Sequence, residues 1–353
     1  AFQIVHDQAR VHGAKRVYMT ATPRIYGDTA RQTAREKSYV LTSMDDEDTY
    51  GPTAYEITFS EAVERGLLCD YRVVVLAVRE ESLPRDIDLH RTSDGFELDM
   101  SDAAKIIGCY KGLATHGVVS QQRIDSMFED SSPEVPDFFL IDEIEDLEAV
   151  PELERDIEPL HRAVGFCRSI QDSKNINDFF GQVVGQYNDQ ASDAEYYDLG
   201  CALDHVDGSM NSKVRQQKLA WLAAGEGQQE CRILTNARCL AEGVDVPSLD
   251  AVIFFSPRKS EVDVVQAVGR VMRTFKNEKT GEEKKLGYII LPVFIPEGMT
   301  PEESLNNSKT FDVVWKVLQA LRSHDERLDA TINALPYDKK GAGTDVIKIR
   351  GVN

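Results

Sequence analysis

"CRILTNARCLAEGVDVPSLDAVIFF", residues 231–255, is the stretch on which the fold turns. It opens on the apolar run "CRILT" (231–235) and closes on "AVIFF" (251–255), with a polar loop between them. Short apolar runs bounded by turn residues predict buried strands. Such runs lack the apolar–polar alternation of a half-exposed strand, so both faces of each need covering.

The same pattern continues in both directions. "AVGFC" (163–167) predicts a strand leading to a helix around 172–188. "LDHVD" (203–207) leads to a helix at 212–224, "AVIFF" to a helix at 261–273, and "YIILPV" (288–293) is a further strand. Buried strands alternating with helices predict an α/β fold, a parallel sheet with helices on both faces. "YRVVVLAV" (71–78) opens this unit, which sets a boundary near Asp70. Before it, "AKRVYMTATPR" reads as a strand and a turn. "TAYEITFSEAVERGLLCDY" reads as a short strand and a capped helix, with Ser60 as N-cap, Val63 and Leu67 on the buried side and Gly66 near its end. Residues 95–158 are expected to form a mostly helical, acidic insertion. The tail "FDVVWKVLQALRSHDERL" predicts an amphipathic helix with Phe311, Val314, Trp315, Leu318 and Leu321 in one stripe. The expected divisions are 1–69, 70–300 (with the insertion at about 95–158) and a C-terminal helix and tail at 301–353.

The length of 353 residues suits two or three such units. No apolar run reaches the ~20 residues that span a bilayer, and no signal peptide precedes the first strand. The chain starts at Ala1 within what reads as domain sequence, so it is expected to be part of something longer. Six scattered cysteines without C-x-x-C spacing point to buried thiols in a reducing cytoplasm and to no metal site. The net charge of −20 disfavours a general nucleic-acid binder. That charge is uneven, however. Residues 129–158 hold thirteen acids and one base, whereas 256–285 hold eight bases and five acids. The local pattern is the more informative one.

Within the basic region lies "QAVGRVMR" (266–273). On a helix, Gln266, Arg270 and Arg273 share one side, opposite Val264, Val268, Val271 and Met272. Paired guanidiniums grip phosphate well. In an open parallel sheet, ligands bind beyond the carboxyl ends of the strands. The loops to inspect therefore follow Cys167, Asp207, Thr235 and Phe255. They carry "RSIQDS", "GSMNS", "NARCLAEGVDVP" and "SPRKSEVD", small, hydroxylic and charged residues suited to phosphate or sugar. Each loop taken singly reads as ordinary surface.

Taken together and in order, "TATP" (20–23), "AVGFCRS" (163–169), "VDGSM" (206–210), "ILTNARCLAEGVDVP" (233–247) and "QAVGRVMR" resemble motifs III, IV, an intervening loop, V and VI of superfamily 2 helicases. "VYMTATPRIYG", "FSEAVERGLLCDYRV", "GYIILPV" and "ALRSHDERL" resemble the helicase-like motor of type ISP restriction–modification enzymes. The resemblance implies a RecA-like fold, double-stranded DNA as track and ATP with Mg2+ as fuel, held mainly by a first RecA-like domain. It implies further domains in the same parent chain: a nuclease, that first RecA-like domain and a methyltransferase. Arg270 and Arg273 match the motif VI arginines that reach the γ-phosphate, and Gln266 the glutamine that orders them. Gly243 and Asp245 match motif V, with Asp245 on the ribose hydroxyl and Glu242 beside them linking nucleotide to track. Thr235, Arg168, Ser169, Gly208 and Ser209 match positions that meet the nucleic-acid backbone. Thr20 and Thr22 match positions coupling hydrolysis to movement.

No G-x-x-x-x-G-K-[ST] phosphate loop occurs in the sequence. The family order places it, with the DExx box, ahead of "TATP". The chain is therefore expected to hold the end of a first RecA-like domain and all of a second, and to be inactive alone. "FFLIDEIED" (138–146) imitates a Walker B strand but follows "TATP", so it is set aside. The alternatives are a motor from a type I or type III restriction subunit or a repair helicase, and a catalytically silent RecA-like interaction module.

Overall fold

A computed structural model describes residues 9–20, 22–23, 25, 32, 36, 43–84, 99–115, 159–190, 198–224, 230–237, 246–258, 260–277, 281, 283–298 and 312–328, and the backbone of 347–352. The chain divides into two units, Ala1–Ile57 and Thr58–Asn353. In the first, a short helix α1 (Glu47–Tyr50) ends with Tyr50 edge-on to Tyr18, ring centroids 4.9 Å apart.

The second unit runs α2 (Phe59–Glu64), β1 (Asp70–Arg79), α3 (Met100–Thr115), β2 (Arg162–Phe166), α4 (Ile170–Gln190), β3 (Gly200–Asp207), α5 (Ser212–Ala223), β4 (Glu230–Ala237), β5 (Ala251–Phe254), α6 (Glu261–Val271), β6 (Leu286–Ile295), α7 (Asp312–Arg322) and β7 (Ile347–Val352). The strands form one sheet in the order β3-β4-β2-β5-β6-β1-β7, and every pairing is parallel.

Side chains alternate across a strand, and here each face meets its own helical layer. Val73 and Val75 of β1 join Val164, Leu234, Val252 and Ile289 under α5, α6 and α7. Val74, Leu76 and Val78 join Ala163, Ile233, Ile253 and Ile290 under α3 and α4. This explains the near-continuous apolar runs: both faces are core. Phe166 and Phe254, from adjacent strands, stack with centroids 5.3 Å apart.

Several expectations change. The expected insertion begins with α3, and α3 is core. Ala103, Ala104, Ile106, Ile107, Cys109, Tyr110 and Leu113 are fully buried on β1 and β6. It is the crossover helix that a parallel β1–β2 connection requires. The acidic stretch after it, including 138–146, lies outside the described residues. Neither "KRVYM" nor "AYEIT" is a strand. Val17 and Met19 are 82% and 91% exposed, and an extended segment without a neighbouring strand has no ladder to join.

Thr58, two residues earlier than expected, caps α2 by accepting from the Glu61 amide at 3.3 Å. Leu67 and Trp315 are exposed, while Ala62, Val313 and Val317 fill the places they were expected to take. Phe311 is outside the described residues. The tail supplies β7, an edge strand beside β1. Cys69, Cys109, Cys167, Cys201 and Cys231 are unbridged thiols, all but Cys201 buried. Among the described residues no helix is long and apolar enough to cross a membrane.

If α3 is core, Ile107→Ala will lower the unfolding free energy by about 2–5 kcal/mol, the range for a buried aliphatic truncated to Ala. Denaturant titration followed by Trp221 and Trp315 fluorescence reads it. A change under about 1 kcal/mol would return α3 to the status of an appended helix.

Candidate nucleotide and nucleic-acid interface

Because every strand is parallel, the loops after β2, β3, β4 and β5 leave the same edge of the sheet. After β2 comes Arg168, then Ser169, whose hydroxyl accepts from the Asp172 amide at 3.0 Å and so starts α4. The Arg168 side chain is 79% exposed and meets Asp172 at 3.1 Å. That hydrogen bond raises the guanidinium's pKa further. An exposed pair of this kind contributes little, so Arg168 can exchange Asp172 for a phosphate.

After β3 come Gly208 and Ser209, both exposed. The Ser209 amide donates to Asp207 Oδ1 at 2.8 Å, and its hydroxyl donates to the same oxygen. Asp207 is buried, and its pKa is pulled down to about 2. The Ser209 hydroxyl is the main cause; burial opposes it, and His205 and the Ser209 amide assist.

Behind Asp207 lies a buried polar strip. His205 Nε2 is 3.0 Å from Asp207 Oδ2, and Nδ1 is 2.6 Å from Ser173 Oγ on α4. Ser173 Oγ donates to Thr235 Oγ1 at 2.8 Å, and Asn177 Nδ2 donates to the same oxygen at 3.1 Å. Thr235 in turn donates to the Ser173 carbonyl at 3.2 Å. Both ring nitrogens are engaged, so the orientation of His205 is fixed. Thr235, expected on the nucleic-acid backbone, is fully buried, with its hydroxyl holding β4 to α4. Ser173, Asn177, His205 and Asp207 escaped the sequence reading. Their one signal was a His and an Asp two apart in an apolar strand, which puts them on one face.

After β5 comes α6. Val264, Val265, Ala267, Val268 and Val271 are buried, and Gln266 and Arg270 lie half-buried on the other side. Glu261 and Asp263 occupy its first turn and Arg270 its last, in accord with the helix dipole. Arg273 falls just past the last helical residue and is also half-buried. Glu242, Gly243 and Asp245 lie outside the described residues. Thr20 and Thr22 belong to the first unit, where Thr20 Oγ1 donates to the Thr22 carbonyl at 3.0 Å. The described residues include no cluster of His, Cys, Asp or Glu able to hold a metal. Two guanidiniums suit a phosphate and repel a cation, so the described residues around α6 do not fit a Mg2+ ion.

Residues 147–275, spanning β2 to α6, match the family of the helicase conserved C-terminal domain. That segment is thus similar to helicase C-terminal domains. Over its whole length it is 37% identical to the ATP-dependent type ISP restriction–modification enzyme LlaBIII, solved bound to DNA, with a TM-score of 0.70. An 82-residue stretch, 23% of this chain, is 28% identical to "Putative helicase 22" of Sulfolobus islandicus filamentous virus (isolate Iceland/Hveragerdi). The chain spans 20% of the length of LlaBIII and 14% of the viral protein. The helicase C-terminal fold thus places Arg168, Ser209 and the end of α6 among loops and helices of one sheet.

Asp207 makes stability depend on pH with a definite sign. Its folded pKa lies below the unfolded value of about 3.9, so its contribution is present above that value and lost as pH falls toward about 2. Asp207→Asn will therefore be less stable than wild type at pH 7, with the gap narrowing between about pH 4 and pH 2. Urea midpoints across that range test this; a gap independent of pH would remove Asp207 as the titrating group.

Proposed function

We propose that this chain is the second motor domain of an ATP-dependent DNA translocase or helicase of the type ISP restriction–modification kind. The observation that carries the reading is the 37% identity to LlaBIII along the entire chain. The α6 geometry supports it: a buried apolar face fixes the helix, and Gln266 and Arg270 are held on the opposite side.

In this reading a phosphate loop elsewhere in the full-length protein binds ATP. Arg270 and Arg273 reach its γ-phosphate across a cleft and stabilise charge as it develops in transfer. Gln266 orders the two guanidiniums, and Asp245 and Gly243 face the nucleotide, with Glu242 beside them. Arg168, Ser169, Gly208 and Ser209 grip the DNA backbone, with Thr235 holding β4 to α4 beneath them. Thr20 and Thr22 couple the two motions. Mg2+ would be held outside the residues described, and the other partners are the remaining domains of the same protein. The cytoplasm is the proposed setting.

An arginine finger contributes ~10³–10⁵ in rate, equivalent to roughly 4–7 kcal/mol of barrier. Arg270→Ala in the full-length protein will lose at least about 10³ in DNA-stimulated ATP turnover while still binding DNA. Near-normal turnover would overturn the assignment. The chain 1–353 alone, with no phosphate-loop sequence, will not hydrolyse ATP; DNA-stimulated turnover by it would require a different nucleotide site. Arg168→Ala will weaken DNA binding evenly across sequences and flatten the slope of log affinity against log salt by about 0.9, one phosphate's worth. An unchanged slope would take Arg168 off the backbone.

A further inference from the structure

The end of α6 is held by more than its own helix. The last carbonyls of a helix have no partner within it. Here Val271 O accepts from the Lys284 ammonium, which also donates to Leu249 O. Met272 O accepts from the Cys69 amide at 2.8 Å. Leu68 and Arg273 form an antiparallel bridge, and the Cys69 thiol lies 3.7 Å from Val271 O and 3.8 Å from Arg273 O. β6 closes the remaining side: a Cβ on Gly287 would sit 2.5 Å from Val271 O, so only glycine lets the strand pass.

Lys284 itself is fixed. Its amide donates to Phe275 O at 2.8 Å, and Lys276 and Glu283 bridge the same turn at 2.8 Å. Burial pushes its pKa down, so placing an ammonium here is unfavourable unless its hydrogen bonds are needed. Those bonds join two different segments. Leu249 closes the loop that precedes β5, and Val271 ends the helix that follows it. A cation at a helix C-terminus is also favoured by the helix dipole.

We infer that Lys284 is a positioning residue for Arg270 and Arg273: its ammonium, with the Leu68–Cys69 backbone, sets where both guanidiniums stand at the end of α6, against the segments that enter β1, β5 and β6. The inference rests on the reading of those arginines as phosphate ligands. Lys284 ties the helix that carries them to the 246–249 segment, which follows directly on Gly243 and Asp245. The 246–249 segment and the end of α6 are then held as one body. The backbone running from Thr58 through α2 to Cys69 ends on Met272 O, the carbonyl next to the one Lys284 holds, so displacement of that segment is passed to Arg273.

A double-mutant cycle in the full-length protein tests this, using Lys284→Met, Arg273→Ala and both together. DNA-stimulated turnover, KM for ATP, DNA affinity and thermal unfolding are measured for each. Lys284→Met will lower kcat by at least about tenfold, with KM and DNA affinity within about threefold of wild type. The double variant will be slower than Arg273→Ala alone by clearly less than the Lys284→Met loss measured in wild type, because Lys284 acts partly through Arg273. A Lys284→Met rate within about twofold of wild type, or losses that multiply in the double variant, would overturn the inference. If Lys284→Met does not fold, Lys284→Gln, which keeps one donor, carries the same two criteria. Wild-type turnover in Arg270→Ala and Arg273→Ala would instead remove the phosphate-ligand reading on which this one stands. Loss in the arginine variants without loss in the lysine variant removes this one alone.

Discussion

Burial of both faces of the parallel sheet is the constraint from which the rest follows. The middle strands β2, β5, β6 and β1 carry apolar side chains up and down, so helices must cover both sides. A parallel strand pair needs a crossover, and each crossover helix supplies that cover. The same arrangement sends the β2, β3, β4 and β5 loops out of one edge. The meeting of those loops at one edge is thus a consequence of topology, and the loops need little stability of their own.

Within that frame the sheet strands were legible because their signal is strong and local. Seven apolar residues of eight in "YRVVVLAV" leave few options, and Val264, Val268 and Val271 mark the buried side of α6 without ambiguity. What was misread has a common cause, which is that charge stood in for exposure. α3 carries Asp102, Lys105 and Lys111 and precedes a strongly acidic stretch, so it resembled a solvated appendage. Yet Lys111 is buried, with its ammonium 4.9 Å from the centroid of the Tyr187 ring, and the residues around it fill the core. A cation against an aromatic face does not register in a count of charges. β7 was missed for the opposite reason, since "IKIRGV" alternates Ile with a cation for only four residues before a glycine.

The site divides similarly. Residues with sequence motifs around them, such as Arg168, Ser209, Arg270 and Arg273, could be singled out as candidates from the sequence. The residues that hold them could not. Asp207 and His205 look like two polar residues near a strand end, and Lys284 looks like one of several lysines in a charged turn. Their roles depend on partners far along the chain: Ser173 and Thr235 for His205, Leu249 and Val271 for Lys284. Pattern and spacing report what lies within a few turns, whereas contacts made across the sheet appear only once it is assembled.

These supports also separate two kinds of arginine. Arg168 is exposed and paired only with a neighbour one turn away, a contact that solvent screens and a phosphate can replace. The backbone between Arg270 and Arg273 is held by the Leu68–Cys69 segment that enters β1, by β6 and by a half-buried lysine, and these contacts lie against the core. A group that must follow a moving backbone gains from the first arrangement. A group that must stabilise charge at one point gains from the second, because a preorganised donor needs no rearrangement when that charge appears. Arg168 thus stands beyond the carboxyl end of β2, where its contact can be exchanged, and the end of α6 stands against the segments that enter β1, β5 and β6, where its backbone is held.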